Sequence, residues 1–281
     1  MTLLNKRQKV LLSVIDTLER HGKNTKTFIM KALFLIKQDF RADEKIRFYS
    51  FFPYKYGPFS EAVYSDLNYL VKQGFVEETQ TSLTPEGRVI CSSNNLFKEQ
   101  SESIALRYSN QHSILDDTYK RYPTFTVNSE LVRKPETKKV PAILATGYEG
   151  EDIDEFLNKL IKNQIDTVID IRNNPFSMKF SFTKSRLVKH LQKVGIRYVH
   201  IKELGVEKEF REKLETSEDY SRLFLAYKEK LVENRDKVLE LLKLSDNHRI
   251  ALLCFEKNPQ QCHRSALAEE LKDKGKQVIF V

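Results

Sequence analysis

The stretch RIALLCFEKNPQQCHRSALAEELKDKG, residues 249–275, joins an apolar run, a polar corner and an amphipathic run. The continuous apolar character of residues 249–256 predicts a buried strand. Residues 265–275 carry a helical pattern, so the corner between them connects a strand to a helix. Two cysteines, a histidine, an arginine and a serine lie in or beside this corner, which makes it a candidate functional site.

The same alternation of strand and helix extends over residues 138–281. Apolar runs predict strands at 141–148, 166–172, 197–204, 249–256 and 276–281, and amphipathic runs predict helices at 152–165, 183–195, about 207–243 and 265–275. Continuous apolar strands between amphipathic helices are typical of a parallel sheet covered on both faces. We therefore predict an α/β fold here, a Rossmann-like domain with a mainly parallel sheet.

The first 90 residues have a different pattern, which predicts three helices followed by two short strands. Gly22 and Gly74 are placed as helix stops, and Ser60 is placed as the cap of the third helix. This order predicts an N-terminal α+β domain at 1–90. Residues 91–137 are predicted to hold one helix, 96–119, and a linker rich in proline and lysine, with the boundary near residue 135, so that the α/β domain covers 138–281.

Composition limits the classes of protein that the chain can represent. The 281 residues are 40% hydrophobic and 31% charged, which is typical of a globular protein of two domains. No apolar run is long enough for a membrane span, and no cleavable signal precedes the first helix, so we expect a cytoplasmic protein. Three cysteines predict a reducing compartment without a disulfide framework. The net charge of +8 permits a nucleic-acid partner without requiring one.

Unusual polar residues recur at the carboxyl ends of the predicted strands. They are Tyr148 and Glu149 after the first strand, Asp170 and Arg172 at the second, His200 and Glu203 at the third, and Glu256, Cys262, His263, Arg264 and Ser265 after the fourth. Open α/β sheets bind ligands along this edge. We therefore expect these side chains to face one crevice.

The corner at residues 262–265 allows two functions. Arg264 and Ser265, at the start of a helix, favour binding of a phosphate or carboxylate, although Ser265 could instead cap the helix and Arg264 could pair with Glu256 or Asp170. Cys262 beside His263 is a candidate nucleophile, or simply a small residue in a tight turn.

Two other pairs in the predicted crevice leave structural and catalytic alternatives open. Asp170 and Arg172 alternate with apolar residues and point the same way, either as a buried ion pair or as a carboxylate that acts as a base or binds a ribose beside a substrate-orienting arginine. His200 and Glu203 are each either an acid–base group or part of a structural hydrogen bond.

Metal and cofactor sites are not favoured by the spacing. Cys254, Cys262, His263 and His200 show no paired metal-binding spacing, and Cys254 within a strand is expected to be a core thiol. The glycines of TGYEG, residues 146–150, do not match the dinucleotide fingerprint, so no cofactor is expected.

The stretch FYSFFPYKYGPFS, residues 48–60, is dense in aromatic residues. It allows nucleic-acid binding through Lys55 and Tyr56, with Tyr64 and Lys72 on the following helix, or packing of the aromatic rings against the domain's own helices.

Both parts of the chain resemble known families. DLNYLVKQGFVEE with LTPEGR resembles winged-helix proteins, and FFPYKYGPFSEAVYSDLNYLVKQGFVE resembles Panacea antitoxin-type domains, over about residues 5–90. TGYEGEDIDEFLNKL, DTVIDIRNNPFSM, GIRYVHIKELG and ALLCFEKNPQQCHRSALAEEL together resemble the domain-of-unknown-function 488 family, over about residues 141–281. This resemblance implies an α/β domain with a polar cluster that adds Pro175, Ser177, Gly205 and Cys254 to the residues above. It also hints at DNA repair or antiphage defence.

Three functions remain open on the sequence. The first is an enzyme acting on nucleic acid or a nucleotide, with DNA brought by the N-terminal domain. The second is a regulator that senses a phosphate-bearing small molecule and binds DNA. The third is an antitoxin-like module that binds a partner protein or a second copy of the chain.

Overall fold

The computed structural model describes residues 4–92, 94–132, 139–207, 210 and 214–281. The chain divides into two compact units, residues 1–135 and 136–281. Residues 133–138 of the predicted linker lie outside the described residues. In the part of the chain that the structure describes, no helix has both the length and the apolar character needed to cross a bilayer.

The N-terminal unit is mainly helical. Its elements are α1 Lys6–Arg20, α2 Lys26–Phe40, α3 Ala42–Lys45, β1 Phe52–Tyr54, β2 Gly57–Phe59, α4 Glu61–Lys72, α5 Pro85–Ser92, α6 Lys98–Arg107 and α7 Gln111–Arg121. The side chains of Asn5, Thr25 and Ser60 accept hydrogen bonds from backbone N–H groups and start α1, α2 and α4. Helix α2 buries most of its surface, and its side chains form the centre of the core.

The winged-helix assignment is not confirmed. After α4, the predicted pair of strands is reduced to a single antiparallel bridge between Val76 and Leu83. The hydroxyl of Thr84 accepts a hydrogen bond from the N–H of Gly87 at 3.1 Å and so starts α5 directly afterwards. The two-stranded sheet of this unit is instead the hairpin β1–β2, inside the aromatic stretch before α4.

The single helix predicted over 96–119 is wrong, because the structure has α6 and α7 there. The break follows from Asn110, whose side chain accepts a hydrogen bond from the N–H of Ser113 at 3.0 Å and starts a new helix. Both helices pack within the N-terminal unit, α6 against α1 and α7 against α2.

The C-terminal unit confirms the predicted α/β fold with a parallel sheet. Its elements are β3 Ala142–Gly147, α8 Ile153–Lys162, β4 Thr167–Asp170, α9 Lys184–Lys193, β5 Arg197–His200, α10 Ser217–Glu233, α11 Arg235–Asn247, β6 Arg249–Cys254, α12 Arg264–Asp273 and β7 Val278–Phe280. The strands are parallel in the order β5-β4-β6-β3-β7. In this sheet β6, the fourth strand in chain order, lies between β3 and β4, the first and the second. The common dinucleotide-binding fold has a different strand order.

The strand order determines which face each helix covers. The connections from β3 to β4 and from β4 to β5 each lead towards the β5 edge of the sheet. Those from β5 to β6 and from β6 to β7 lead towards the β7 edge. Because such crossings are right-handed, α8 and α9 cover one face and α10, α11 and α12 cover the other. Ile143, Ile169, Ile250 and Leu252 join the core beneath the second group of helices. The connections that follow β4 and β6 thus leave the sheet on opposite faces.

Candidate functional site

The polar residues at the carboxyl edge of the sheet form two clusters on opposite faces. The arginine cluster, on the side of α8 and α9, contains Tyr148, Asp170, Arg172, Ser177, Tyr198 and His200. The cysteine cluster, on the side of α10 and α12, contains Cys254, Glu256, Cys262, His263 and Arg264. Asp170 pairs with Leu253 across the sheet, and paired residues point to the same face. Cys254, the next residue, therefore points to the opposite face, so the expected single crevice is divided.

A buried ion pair is the centre of the arginine cluster. The Arg172 guanidinium donates to both carboxylate oxygens of Asp170, from Nε to Oδ1 at 2.9 Å and from Nη2 to Oδ2 at 2.5 Å. The two side chains are 4% and 0% exposed. Nη1 of Arg172 donates to the hydroxyl of Tyr148 at 2.9 Å and to the carbonyl of Phe182 at 3.0 Å. This is the geometry of the structural alternative, a bidentate ion pair whose Nη1 group also donates two hydrogen bonds.

Aromatic side chains enclose the ion pair. The Tyr148 ring stacks on Phe182 with centroids 4.2 Å apart, and its hydroxyl donates to Ser177 Oγ at 3.2 Å. Tyr198 donates to Oδ2 of Asp170 at 2.7 Å. Burial, reinforced by the Asp170 carboxylate, raises the pKa of Tyr198, so that it remains a neutral donor. Asp170 is therefore enclosed by donors, and its assignment as a base stays a prediction.

His200 lies at the accessible rim of the arginine cluster. Its Nε2 is 2.9 Å from the backbone carbonyl of Arg172 and its Nδ1 is 3.3 Å from Lys184 Nζ. A carbonyl only accepts hydrogen bonds, so Nε2 carries the proton and Nδ1 presents a lone pair to the ammonium group. The ring is half-buried, so it is held in one orientation and still reachable. Its role as an acid–base group stays a prediction.

Glu203 is separated from His200. It lies in the 3-10 turn Lys202–Leu204 and lines a cavity of about 660 Å³ with Asn173, Tyr227 and Lys230. Tyr227 donates to the carbonyl of Leu204 at 2.7 Å and so anchors α10 to this turn. Gly205 is required beside it, because a Cβ there would lie 2.1 Å from the backbone nitrogen of Asn173.

The cysteine cluster brings four potential metal ligands together. Cys254, Cys262 and His263 are 0%, 1% and 3% exposed. Nδ1 of His263 lies 3.8 Å from Cys254 Sγ and 4.0 Å from Cys262 Sγ, and Cys254 Sγ donates to Oε2 of Glu256 at 2.9 Å. Cys254 is thus buried, as expected of a core thiol, but its sulfur atom faces polar groups.

The two thiols have opposite pKa shifts. Burial and the neighbouring Cys262 raise the pKa of Cys254. Burial also acts to raise the pKa of Cys262, but hydrogen bonding from Cys254 and the charges of His263 and Arg264 outweigh it and hold the pKa well below its ordinary value. Cys262 is the more acidic thiol, but its burial leaves no direct access for a substrate.

Arg264 and Ser265 are directed into the protein. Arg264 is 1% exposed, and its guanidinium donates to Cys262 Sγ at 3.1 Å and to the carbonyl of Glu256. The Ser265 hydroxyl donates to the carbonyl of Pro259 at 2.5 Å rather than capping the helix. These contacts close the loop between β6 and α12, and the anion-binding role of both residues stays a prediction.

The loop that carries Glu149 is fixed against the loop after β6. The N–H groups of Tyr148 and Glu149 donate to the carbonyl of Phe255, and Glu149 accepts from the N–H of Lys257 at 3.0 Å. A Cβ at Gly147 would lie 2.0 Å from the carbonyl oxygen of Glu256, so this close approach requires glycine. Glu149 therefore has a structural contact in the fold, and its predicted role in substrate binding is untested.

The four N-terminal candidates occupy two elements. Lys55 and Tyr56 lie in the turn between β1 and β2, where Lys55 pairs with Glu130 at 2.7 Å and Tyr56 is 49% exposed. Tyr64 and Lys72 lie on α4, with the Tyr64 ring against that of Phe59. The aromatic stretch also supplies core side chains, since Tyr49, Phe51 and Phe52 are buried. Nucleic-acid binding by these residues stays a prediction.

Tyr198 and Tyr227 were missed by the sequence analysis. Tyr198 could have been found, because it stands two residues before His200 on the same strand and therefore shares its face. Tyr227, whose ring contacts His263 at a centroid distance of 5.0 Å, lies within a long helix that gives no local signal.

A family model described as "Domain of unknown function DUF488" matches residues 152–271. The match lies within the C-terminal unit, includes both connections that follow β4 and β6, and confirms the resemblance of this half of the chain. No curated protein and no solved structure matches the chain. The winged-helix and Panacea resemblances of the N-terminal unit are therefore not shown by any comparison.

Proposed function

We propose that this chain is a nucleic-acid-processing enzyme that binds single-stranded nucleic acid on the α9 side of the C-terminal unit, next to His200. The observation that carries the proposal is a local charge imbalance. Residues 171–202 contain eight lysines and arginines and no aspartate or glutamate, although the whole chain has 47 basic and 39 acidic residues. A basic stripe of this kind is the electrostatic footprint expected of a surface that binds phosphates.

Helix α9 presents much of this charge to solvent. Arg186, Lys189 and Lys193 are exposed and recur at helical spacing, so they lie along one stripe. Lys184 is exposed at the start of the same helix, where it reaches the ring of His200. A phosphate backbone that follows the stripe would therefore be led towards His200.

Exposed aromatic rings flank the basic stripe. Phe176 and Phe180, in the connection between β4 and α9, are 67% and 66% exposed. The Arg186 guanidinium lies 4.6 Å from the centroid of the Phe180 ring. Surfaces that bind single strands combine basic grooves with aromatic platforms on which bases stack, and stacking contributes about 1–3 kcal/mol per base. The arrangement of rings and cations therefore favours an unpaired strand over a duplex.

The chemistry assigned to the site belongs to His200. Its Nδ1 faces Lys184 at the rim, and its ring is held through Nε2 by the carbonyl of Arg172. In this proposal Nδ1 of His200 accepts a proton from a water molecule that attacks the bound strand, and the group displaced from the strand takes a proton from solvent. The other members of the arginine cluster hold the ring through the carbonyl of Arg172. A role in DNA repair or antiphage defence rests on the family resemblance alone.

Removing the basic stripe is expected to weaken nucleic-acid binding and its salt dependence. For Arg186→Ala/Lys189→Ala/Lys193→Ala, the slope of log binding constant against log salt should fall by about 2, since each phosphate contact on a single strand contributes about 0.7. Fluorescence anisotropy with a labelled single-stranded DNA, a single-stranded RNA and a DNA duplex measures this. Lys228→Ala/Lys237→Ala/Lys274→Ala, which removes three lysines from ion pairs on the opposite side of the sheet, is the matched control.

Catalysis is tested by mass spectrometry of the same strands and of free nucleotides after incubation with the protein. We expect a product that wild type forms and that His200→Gln does not form, with binding to the strand unchanged. Equal slopes for the triple variant, its control and wild type would contradict the binding surface. Binding without any product would leave a binding protein and overturn the enzymatic part of the proposal.

A second candidate function, ligand sensing, is favoured by the cavity beside Glu203. Its volume of about 660 Å³ lies within the range of small-molecule sites, and Leu223, Val206 and Tyr227 supply apolar walls beside the charged groups of Glu203 and Lys230. A regulator of this kind would bind its ligand without changing it, and the ligand would alter the affinity for nucleic acid.

A further inference from the structure

We propose that the cysteine cluster binds one zinc ion through Cys254, Cys262 and His263, with Glu256 as the fourth ligand. One potential ligand atom from each of these residues lies within 4.8 Å of all the others. The four residues come from the end of β6 and from the connection that leads into α12. This site is independent of the nucleic-acid surface, which lies on the other face of the sheet.

The separations of the ligand atoms fit a tetrahedral ion. In a site with zinc–sulfur bonds of about 2.3 Å and zinc–nitrogen bonds of about 2.0–2.1 Å, neighbouring ligand atoms lie about 3.5–3.8 Å apart. The sulfur atoms of Cys254 and Cys262 lie 3.8 and 4.0 Å from His263 Nδ1. Closing the ligand set on an ion therefore needs the two sulfur–nitrogen distances to shorten by a few tenths of an ångström and the 2.9 Å distance from Cys254 Sγ to Glu256 Oε2 to lengthen.

The deep burial of these polar side chains would be unusual if they served only packing. The three nitrogen and sulfur ligands are at most 3% exposed, while Glu256 is half-buried at the outer side. Nδ1 of His263 has the sulfur atoms of Cys254 and Cys262 as its hydrogen-bond partners, at 3.8 and 4.0 Å. Thiols are weak hydrogen-bond partners, and a metal ion would supply the strong interaction that this buried imidazole lacks at Nδ1.

The surrounding charge suits a zinc site. Two thiolates and a carboxylate around a divalent cation carry one net negative charge. The buried guanidinium of Arg264 offsets that charge, and its Nε already donates to Cys262 Sγ at 3.1 Å. Such outer hydrogen bonds to ligands are usual in metal sites, and their loss costs about 10–100-fold in affinity.

The chemistry of the ligands selects the metal. Two sulfur atoms and an imidazole in tetrahedral spacing favour zinc over magnesium or calcium, which take oxygen ligands. The spacing in sequence gave no such signal, because seven residues lie between Cys254 and Cys262 and the 3-10 turn Pro259–Gln261 folds the chain back. His200, which the sequence analysis had grouped with the cysteines, lies on β5, two strands away from β6 and on the other face.

Metal content of the full chain tests the site directly. Protein purified without chelators is analysed for zinc by inductively coupled plasma mass spectrometry, after dialysis to remove loosely bound ions. We expect one zinc per chain in wild type and in Cys91→Ser, whose cysteine lies in the N-terminal unit. Cys254→Ser and Cys262→Ser should each lower zinc affinity by more than the ~100-fold upper range for outer partners.

Cobalt substitution tests the metal site in the wild-type protein, so its result does not depend on whether a variant folds. Wild type stripped of metal and titrated with Co²⁺ should develop the visible bands of tetrahedral cobalt with thiolate ligands, and Cys91→Ser should do the same. Zinc-free wild type that also fails to give these bands would overturn the proposal. So would bands that persist in Cys254→Ser and Cys262→Ser, or a disulfide between these two cysteines in the purified protein.

Discussion

Replacing Arg172 with methionine is expected to lower the free energy of unfolding of the C-terminal unit by about 3–5 kcal/mol. The substitution leaves the Asp170 carboxylate buried without its cation, at 0% exposure. Removing one partner of a buried pair is costly because the remaining charge has lost its hydration and gains nothing in return. The Tyr148 hydroxyl and the carbonyl of Phe182 lose a donor at the same time.

The double variant Asp170→Leu/Arg172→Met separates this cause from loss of packing. Because both charges are then absent, most of the lost stability should return, even though the hydrogen-bonded cluster is gone. Urea unfolding measures the free energy of unfolding of each variant. Hydrogen exchange with mass spectrometry, followed in peptides of β4 and β6, assigns the transition to the C-terminal unit.

An exposed ion pair provides the matched control for this substitution. Arg222 pairs with Asp219 at 2.6 Å, and its side chain is 76% exposed. Arg222→Ala should change stability by less than about 1 kcal/mol. If Arg172→Met behaved like Arg222→Ala, or if the double variant were less stable than the single one, the pair would not have the assigned structural role.

The fold of the C-terminal unit could be predicted because its signals are local. Strands β3, β4, β6 and β7 are mainly apolar runs, and the helices between them repeat at helical spacing, so type and order follow from pattern. The region predicted to be helical at about 207–243 holds two helices, α10 and α11, which meet at Asn234. The prediction of two strands after α4 was wrong for a physical reason. Residues 75–83 have strand-like composition, but the hydroxyl cap at Thr84 starts α5 after a single bridge pair. Conversely, β1 and β2 lie within an aromatic stretch whose residues also pack as core, so composition did not distinguish them.

The candidate site could be predicted in part. Alternation placed Asp170 and Arg172 on one side, and in the structure the two side chains contact each other. The sequence could not predict that the polar side chains of β4 and β6 face opposite sides of the sheet, because this depends on the register between the two strands. Asp170 is opposite Leu253 rather than Cys254, and a shift of one residue would have joined the two clusters. The cysteine cluster depends on the same register and on the fold of the loop before α12, and neither leaves a spacing signal in the sequence.

A buried lysine in the N-terminal unit is expected to make stability depend on pH. Lys31, on α2, is 2% exposed, and its ammonium donates to the carbonyl of Pro58 at 2.7 Å. Burial lowers the pKa of Lys31 from its ordinary value of 10.5 to about 7. The hydrogen bond joins α2 to the β1–β2 hairpin, so the charge state of this residue acts on the core of the unit.

The sign of the effect follows from proton uptake on unfolding. Between about pH 7 and pH 10.5 the unfolded chain holds a proton on Lys31 that the folded chain releases, so the free energy of unfolding rises with pH in that window and levels off below it. From pH 7 to pH 9 the rise from this residue is about 2 kcal/mol, and Lys31→Met should abolish it. Urea unfolding at pH 7, 8 and 9, with the transition of residues 4–132 identified by hydrogen exchange, measures the slope. Lys26→Met, on the exposed first turn of the same helix, should keep the wild-type slope. Equal slopes in wild type and Lys31→Met would mean that Lys31 keeps its proton inside the fold and that the Pro58 carbonyl compensates for its burial.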